Sequence, residues 1–149
     1  MQSIEAFVAK QRLEGELGLI VVDYLQLLSV PGVESRVQEI SQISRTLKKI
    51  AMEYETSVLA LSQLNRALES QNRNPMLSDL RESGSIEQDA DCVLLMHREK
   101  EVDPTNDDII CNVAKNRNGE VRATKLTFTK PTGRFSTRVD ARLHDKKPF

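Results

Sequence analysis

The stretch LGLIVVDYLQLL, Leu17 to Leu28, decides the fold class. Leu19 to Val22 is a short, continuous, β-rich apolar run, the pattern of a strand buried on both faces, and it stops at a carboxylate, Asp23. SVPG (Ser29 to Gly32) then breaks the chain. From Ser35 to Tyr54, the apolar residues Val37, Ile40, Ile43, Leu47, Ile50, Ala51 and Tyr54 recur every three or four positions, which predicts a long amphipathic helix. Ser35 and Gln38 have the spacing of a capping box at its start. SVLALS, Ser57 to Ser62, reads as a second buried strand. Strand, helix and strand in this order need a crossover, so the pair is parallel and the class is α/β. In an open parallel sheet, ligands bind beyond the carboxyl ends of the strands, which is where Asp23 stands.

Outward from this unit, residues 3–14 read as a helix with Ile4, Phe7 and Val8 on one face and Gly15 after its end. The polar stretch Gln71 to Ser85 is long for a plain connection, and such loops are often functional. IEQDAD predicts a short helix and CVLLMHR (Cys92 to Arg98) a third strand. EKEVDPTNDD (Glu99 to Asp108) reads as a surface loop. The run from Ile109 to Thr129 predicts a β-hairpin, with Asn116 to Gly119 supplying the turn, and TGRFSTRV adds one more strand. Residues 140–149 form a charged tail expected to fray.

Composition excludes several classes. The chain has 149 residues, 39% hydrophobic and 29% charged, which suits an ordinary globular domain. No apolar run approaches the ~20 residues of a membrane helix, and the N-terminal residues lack a signal-peptide core. Cys92 and Cys111 lie in strand-like runs, which predicts buried thiols in a reducing cytoplasm, with no disulfide and no zinc site. The net charge of −1 conceals an asymmetry: from Lys115 onward ten Lys or Arg stand against three Asp or Glu. That basic third suits phosphate contacts or, equally, a solvated strand face.

An apolar strand ending in Asp is the Walker B pattern, in which the aspartate serves Mg²⁺ on a nucleotide's phosphates. Turn and capping roles for Asp give the same pattern. Ser62 and Gln63 fall at the matching end of the neighbouring strand, where a glutamine can read a terminal phosphate or merely bond the loop. A P-loop requires G-x-x-x-x-G-K-[ST]. None of the six glycines (15, 18, 32, 84, 119 and 133) is followed by lysine, so the phosphate cradle of any Walker site must lie outside this chain.

Taken together, GLIVVDYLQLL, EISQISRTLKKIA, VLALSQLNRALE, PMLSDLRESGSIEQDAD and AKNRNGEV occur in an order that resembles the bacterial replicative DNA helicases of the DnaB type. The resemblance covers Leu17 to Val139, and SDLRESGSIEQDAD is its most specific part. It implies a RecA-like, mostly parallel sheet with flanking helices and a C-terminal antiparallel hairpin, in which residues 1–139 are the C-terminal part of a motor domain. The P-loop half would lie upstream. By the same resemblance Asp23 is the Walker B aspartate on Mg²⁺, and Gln63 links the ATP site to the DNA loops. Arg81, Glu82 and Gly84 line a central channel and hold single-stranded DNA. Lys115 and Arg117 reach into a neighbouring subunit's ATP, with Arg117 as arginine finger. Where family hairpins often continue Gly-Pro, this chain has Gly119-Glu120.

The chemistry of these residue types agrees. Arg81 offers a fork for phosphate oxygens, Gly84 permits close backbone approach, and a helix starting near Ser85 offers free N–H groups. Glu82 repels phosphate, so it is expected to orient Arg81 or a neighbouring subunit's loop. Alternation about Asn116 puts Lys115 and Arg117 on one face. An ordinary capped turn and a solubilised hairpin tip are the plainer readings of the same residues. The resemblance further implies ATP and Mg²⁺ as cofactors, a hexameric ring, single-stranded DNA, primase and a helicase loader as partners, and a cytoplasmic setting without membrane contact. The alternative is a non-catalytic DNA-binding or assembly module derived from a RecA-like ATPase. A sheet cut before its P-loop strand should also leave apolar faces unpartnered.

Overall fold

The computed structural model describes residues 2–65, 68, 73–98 and 107–137, and the side chains of all of these but 2, 3 and 81–83. The charged tail at 140–149 and, in the expected surface loop, residues 99–106 lie outside the described residues. The chain divides into two compact units, Met1–Asp91 and Cys92–Phe149.

The first unit contains α1 (Gln2–Glu14), β1 (Leu19–Val22), a 3₁₀ turn (Leu25–Leu27), α2 (Arg36–Glu53), β2 (Ser57–Ala60), a 3₁₀ segment (Leu77–Ser83) and α3 (Gly84–Asp89). β1 and β2 pair in parallel, Leu19 with Ser57 through Val22 with Ala60, so the expected crossover unit is present. The core forms where the apolar stripe of α2 meets the segment after β1: Ile40, Ile43 and Leu47 pack with Leu25 and Val30, flanked by Val22, Val58 and Ile86. Each such side chain, removed fully from water, contributes about 1.5–3 kcal/mol.

The two strands are less buried than their composition suggests. Leu19, Val21 and Leu59 are 55%, 56% and 50% exposed, because within this chain α2 covers only one face of the pair. The capping box expected at Ser35 does not form. Instead the Glu39 carboxylate accepts the Val30 N–H at 2.7 Å and pairs with Arg36, whose guanidinium donates to the carbonyls of Leu28 (3.1 Å) and Gln26 (2.7 Å). Long side chains thus fasten the 26–30 loop to the first turn of α2, and Ser35 caps it through its carbonyl and not its side chain. The far end closes with Glu55 in the left-handed region (φ 49°), which turns the Thr56 N–H back to the Ala51 carbonyl at 3.0 Å.

The second unit is a four-stranded antiparallel sheet in the order β3 (Cys92–Arg98), β4 (Asp107–Asn116), β5 (Ala123–Thr129), β6 (Arg134–Thr137). The α/β class is as expected, with parallel pairing, among the described residues, between β1 and β2. Val93 and Leu95 are buried, whereas Leu94 and Met96, on the opposite face, are about half exposed. Cys92 falls on that open face and Cys111 is only half-buried, so the expectation of two buried thiols fails: strand alternation, not the apolar run, sets their exposure. Asp107 and Asp108, expected in the surface loop, are instead buried at the start of β4. Asp107 meets Lys130 at 2.9 Å and Arg98 at 3.7 Å, and Asp108 accepts the Thr127 hydroxyl at 3.2 Å. A cross-strand pair, Phe128 with Phe135, has its ring centroids 4.7 Å apart.

Candidate functional site

Asp23 follows the last residue of β1 and is exposed; its peptide bond to Tyr24 is cis. The next residue but one, Leu25, drives its side chain into the core and is 2% exposed. Its N–H donates to the Leu61 carbonyl at 2.9 Å, and the Leu61 N–H donates to the Val22 carbonyl at 2.9 Å. The parallel ladder therefore continues one step past both strands and holds the backbone around Asp23 beside Leu61 and Ser62.

Gln26 closes this frame. Its Nε2 donates to Ser62 Oγ at 2.9 Å, and its Oε1 accepts the Gln63 N–H at 3.3 Å. The Gln26 carbonyl is in turn held by Arg36. One side chain thus ties the turn that begins at Asp23 to the backbone of Gln63, whose own side chain is exposed. The structure brings these two expected site residues to the same end of the parallel pair. Sequence reasoning overlooked Gln26; its only signal was a polar residue three positions after Asp23 inside an otherwise apolar run.

Beyond β2, a second polar frame orders the segment that carries Arg81. Arg73 grips the Asp79 carboxylate as a fork, Nη1 to Oδ2 at 2.7 Å and Nη2 to Oδ1 at 2.5 Å. Asp79 Oδ2 also accepts the Met76 N–H at 2.6 Å, and the Asp79 carbonyl accepts the Asn65 N–H at 3.4 Å. The Arg73 hydrogen bonds, reinforced by the Met76 N–H, hold the Asp79 carboxyl down at about 2, and the same pairing raises Arg73. Asp79 and Leu80 are both buried, so the 3₁₀ segment is anchored immediately before Arg81. Asp79 lies within the most distinctive motif of the chain, yet no local pattern names Arg73 as its partner.

The side chains of Arg81 and Glu82 lie outside the described residues. Gly84 opens α3 with right-handed angles (φ −51°, ψ −21°), and the space where a Cβ would stand is empty to 4 Å. Among the described residues nothing requires glycine there; the position is exposed. The helix expected to offer a dipole end has only six residues, so its macrodipole is small.

Lys115 and Arg117 belong to the second unit. The β4–β5 pairing ends where the Val113 N–H donates to the Arg122 carbonyl at 2.8 Å, while Lys115 and Asn116 remain paired with Val93 and Cys92 of β3. Lys115 is half-buried in β4 opposite Val93, and Arg117 is exposed in the turn just beyond the strand. Strand alternation therefore carries the face of Lys115 but not that of Arg117. Asn116 orders the turn by accepting the Asn118 N–H at 3.2 Å. A Cβ at Gly119 would come within 2.7 Å of Asn116 Nδ2, so a side chain there would make the Asn116 amide shift.

Two surface grooves run along α2, one lined by residues including Val37, Arg45 and Lys49, the other by Arg45, Met52 and Asp89. Neither is lined by Asp23 or Gln63.

Comparison with known proteins follows the same lines. The family model for the DnaB-like helicase C-terminal domain matches residues 1–137. A replicative DNA helicase DnaB from Geobacillus stearothermophilus is 47% identical over 141 residues, covering 91% of this chain and 31% of the relative. A replicative DNA helicase from Bacillus subtilis (strain 168), there named DnaC, is 44% identical over the same length and shares. Among solved structures, one described as an ATPase domain superposes with a TM-score of 0.80 at 39% identity, over 90% of this chain and 51% of that one. A DnaB-like replicative helicase, in a study of its interactions with primase, gives the same TM-score and identity over 89% of this chain and 33% of its own. The chain spans about a third of the length of the curated relatives it matches.

Proposed function

We propose, from the premise that the chain belongs to the DnaB-like helicase C-terminal domain family, that it is part of the ATP-driven motor of a replicative DNA helicase. The motor works as a hexameric ring on single-stranded DNA in the cytoplasm, with primase and a loader as partners. One observation supports the reading: Gln26 bonds Ser62 Oγ and the Gln63 backbone N–H, so Asp23 and Gln63 stand at one end of the parallel pair. The names of the relatives favour the motor over a non-catalytic module.

The donor set suits Mg-ATP. Among the described residues no three His, Cys, Asp or Glu come together. Asp23 would therefore serve as a lone carboxylate, as Mg²⁺ allows, since it keeps several waters and takes one or two carboxylates beside substrate phosphates. When bound, the nucleotide supplies the anhydride whose hydrolysis drives the motor. Asp23 would hold the metal, which would neutralise phosphate charge. Gln63 would hydrogen-bond the terminal phosphate. Lys115 and Arg117 bring positive charge to a phosphate held by an adjoining copy, which makes turnover depend on assembly. Arg81 and Gly84 hold the DNA backbone without reading its sequence, and Glu82 orients that loop.

The test is a chimaera in which this chain replaces the matching segment of the Geobacillus stearothermophilus relative. Arg117→Ala in that ring is expected to lower DNA-stimulated ATP turnover by about 10³-fold or more while nucleotide binding persists. Unchanged turnover removes the finger assignment, and a chimaera that assembles but neither hydrolyses ATP nor unwinds DNA removes the motor reading.

A further inference from the structure

Within the first unit, Arg73 and Asp79 form an ion pair, with Asp79 buried, that no role yet absorbs. Asp79 is 9% exposed, and a carboxylate so enclosed requires its partners. It has three kinds. Arg73 supplies two N–H donors in fork geometry, the Met76 N–H closes the turn that starts the 3₁₀ segment, and the backbone of Asp79 takes the Asn65 N–H. Asn65 stands two residues after Gln63, and Asp79 stands two residues before Arg81. One residue therefore joins the strand exit below the phosphate-reading glutamine to the start of the segment assigned to DNA.

We infer that the Arg73–Asp79 fork is a latch that positions the 81–84 segment for single-stranded DNA and fixes it to the chain leaving β2. This inference rests on the DNA role given above to Arg81 and Gly84. Leu80, buried beside Asp79, anchors the segment in the position immediately before Arg81. The fork fixes orientation as well as attraction, because two parallel N–H···O bonds allow one relative geometry. A lysine at position 73 would keep the charge and lose that geometry. Neither Arg73 nor Asp79 touches phosphate in this scheme. They act through the loop and are positioning residues.

The experiment uses the assembled chimaera, with ring formation checked by size for each variant. Arg73→Gln and Asp79→Asn are each expected to weaken binding of a labelled oligo-dT about tenfold, as loss of a charged hydrogen bond implies. DNA stimulation of the ATPase should fall alike, with DNA-free turnover and the KM for ATP within twofold of the parent. Arg73→Lys should lie between. The slope of log affinity against log salt should stay at the parent's value, because no phosphate contact is lost, whereas Arg81→Ala should make it shallower. Oligo-dT affinity unchanged in both Arg73→Gln and Asp79→Asn overturns the latch. So does a shallower salt slope in Arg73→Gln with none in Asp79→Asn, which would make Arg73 a direct DNA contact. If Arg81→Ala itself leaves DNA binding intact, the DNA role of the loop fails, and the latch with it. A normal result there beside failed latch variants confines the error to Arg73 and Asp79.

Discussion

Replacing Gln26 by methionine keeps the length of the side chain and removes both of its hydrogen bonds, to Ser62 Oγ and from the Gln63 N–H. A net hydrogen bond is worth about 0.5–1.5 kcal/mol, so the pair has an upper value near 3 kcal/mol. Gln63 is exposed and Ser62 half-buried, so water replaces much of what is lost, and the cost to stability settles at about 1 kcal/mol. The Arg36 bond to the Gln26 carbonyl survives, since it is made to the backbone. Such a loss shifts a thermal midpoint by roughly 2–4 °C and leaves the protein folded at 25 °C. Chemistry is more sensitive: displacing a catalytic group by ~1 Å costs about 10²-fold. Gln26→Met in the chimaera is therefore expected to lower DNA-stimulated turnover about 10–100-fold with little change in melting. Gln26→Glu, which can still accept from Gln63 N–H and from the Ser62 hydroxyl, should retain most activity. Steady-state ATPase with and without oligo-dT, beside thermal unfolding, measures both quantities. The reasoning is refuted if Gln26→Met turns over within twofold of the parent while Gln63→Ala is impaired.

The core and the acidic anchor give two more expectations. Ile43 has no exposed surface, so Ile43→Ala should cost about 2–5 kcal/mol in urea unfolding of the chain; Val37→Ala, at a site 48% exposed on the same helix, should cost under about 0.5 kcal/mol. Equal effects would mean that α2 faces the other way. Asp79 has its carboxyl lowered from 3.8 to about 2, chiefly by Arg73, so its folded form favours the ionised state. The stability it contributes is fully present above about pH 4 and is lost as pH falls toward 2, and the lowered Glu39 acts in the same direction. Unfolding midpoints at about pH 5 and pH 3 should differ less in Asp79→Asn than in the parent, and an undiminished difference would rule the pair out as an acid-labile anchor.

Much of this was legible from residues alone because the physics behind it is local. The stripe of Ile40, Ile43, Leu47 and Ile50 defines a helix and its buried face by spacing, whatever it packs against. The β-rich runs on either side make a parallel pair unavoidable once that helix lies between them. Asp23 and Gln63 were legible as strand-end polar groups, and Asn116 to Gly119 as a turn. Burial was read less well. Leu19 and Leu59 look like core residues and are half exposed, since alternate residues of the pair face away from α2. Ser35 looks like a side-chain cap and is displaced in that part by Arg36 and Glu39, whose reach extends back to Gln26 and Val30.

What tertiary structure alone decided is which distant polar groups meet. Gln26 finds Ser62 and Gln63 because the β1–β2 register sets Val22 beside Ala60, and a slip of one residue would turn those groups to the opposite face. Arg73 finds Asp79 only after the intervening chain folds back through the Met76 turn. Periodicity and turn chemistry are written into neighbouring residues, whereas a hydrogen bond across 36 residues depends on a register that only packing selects.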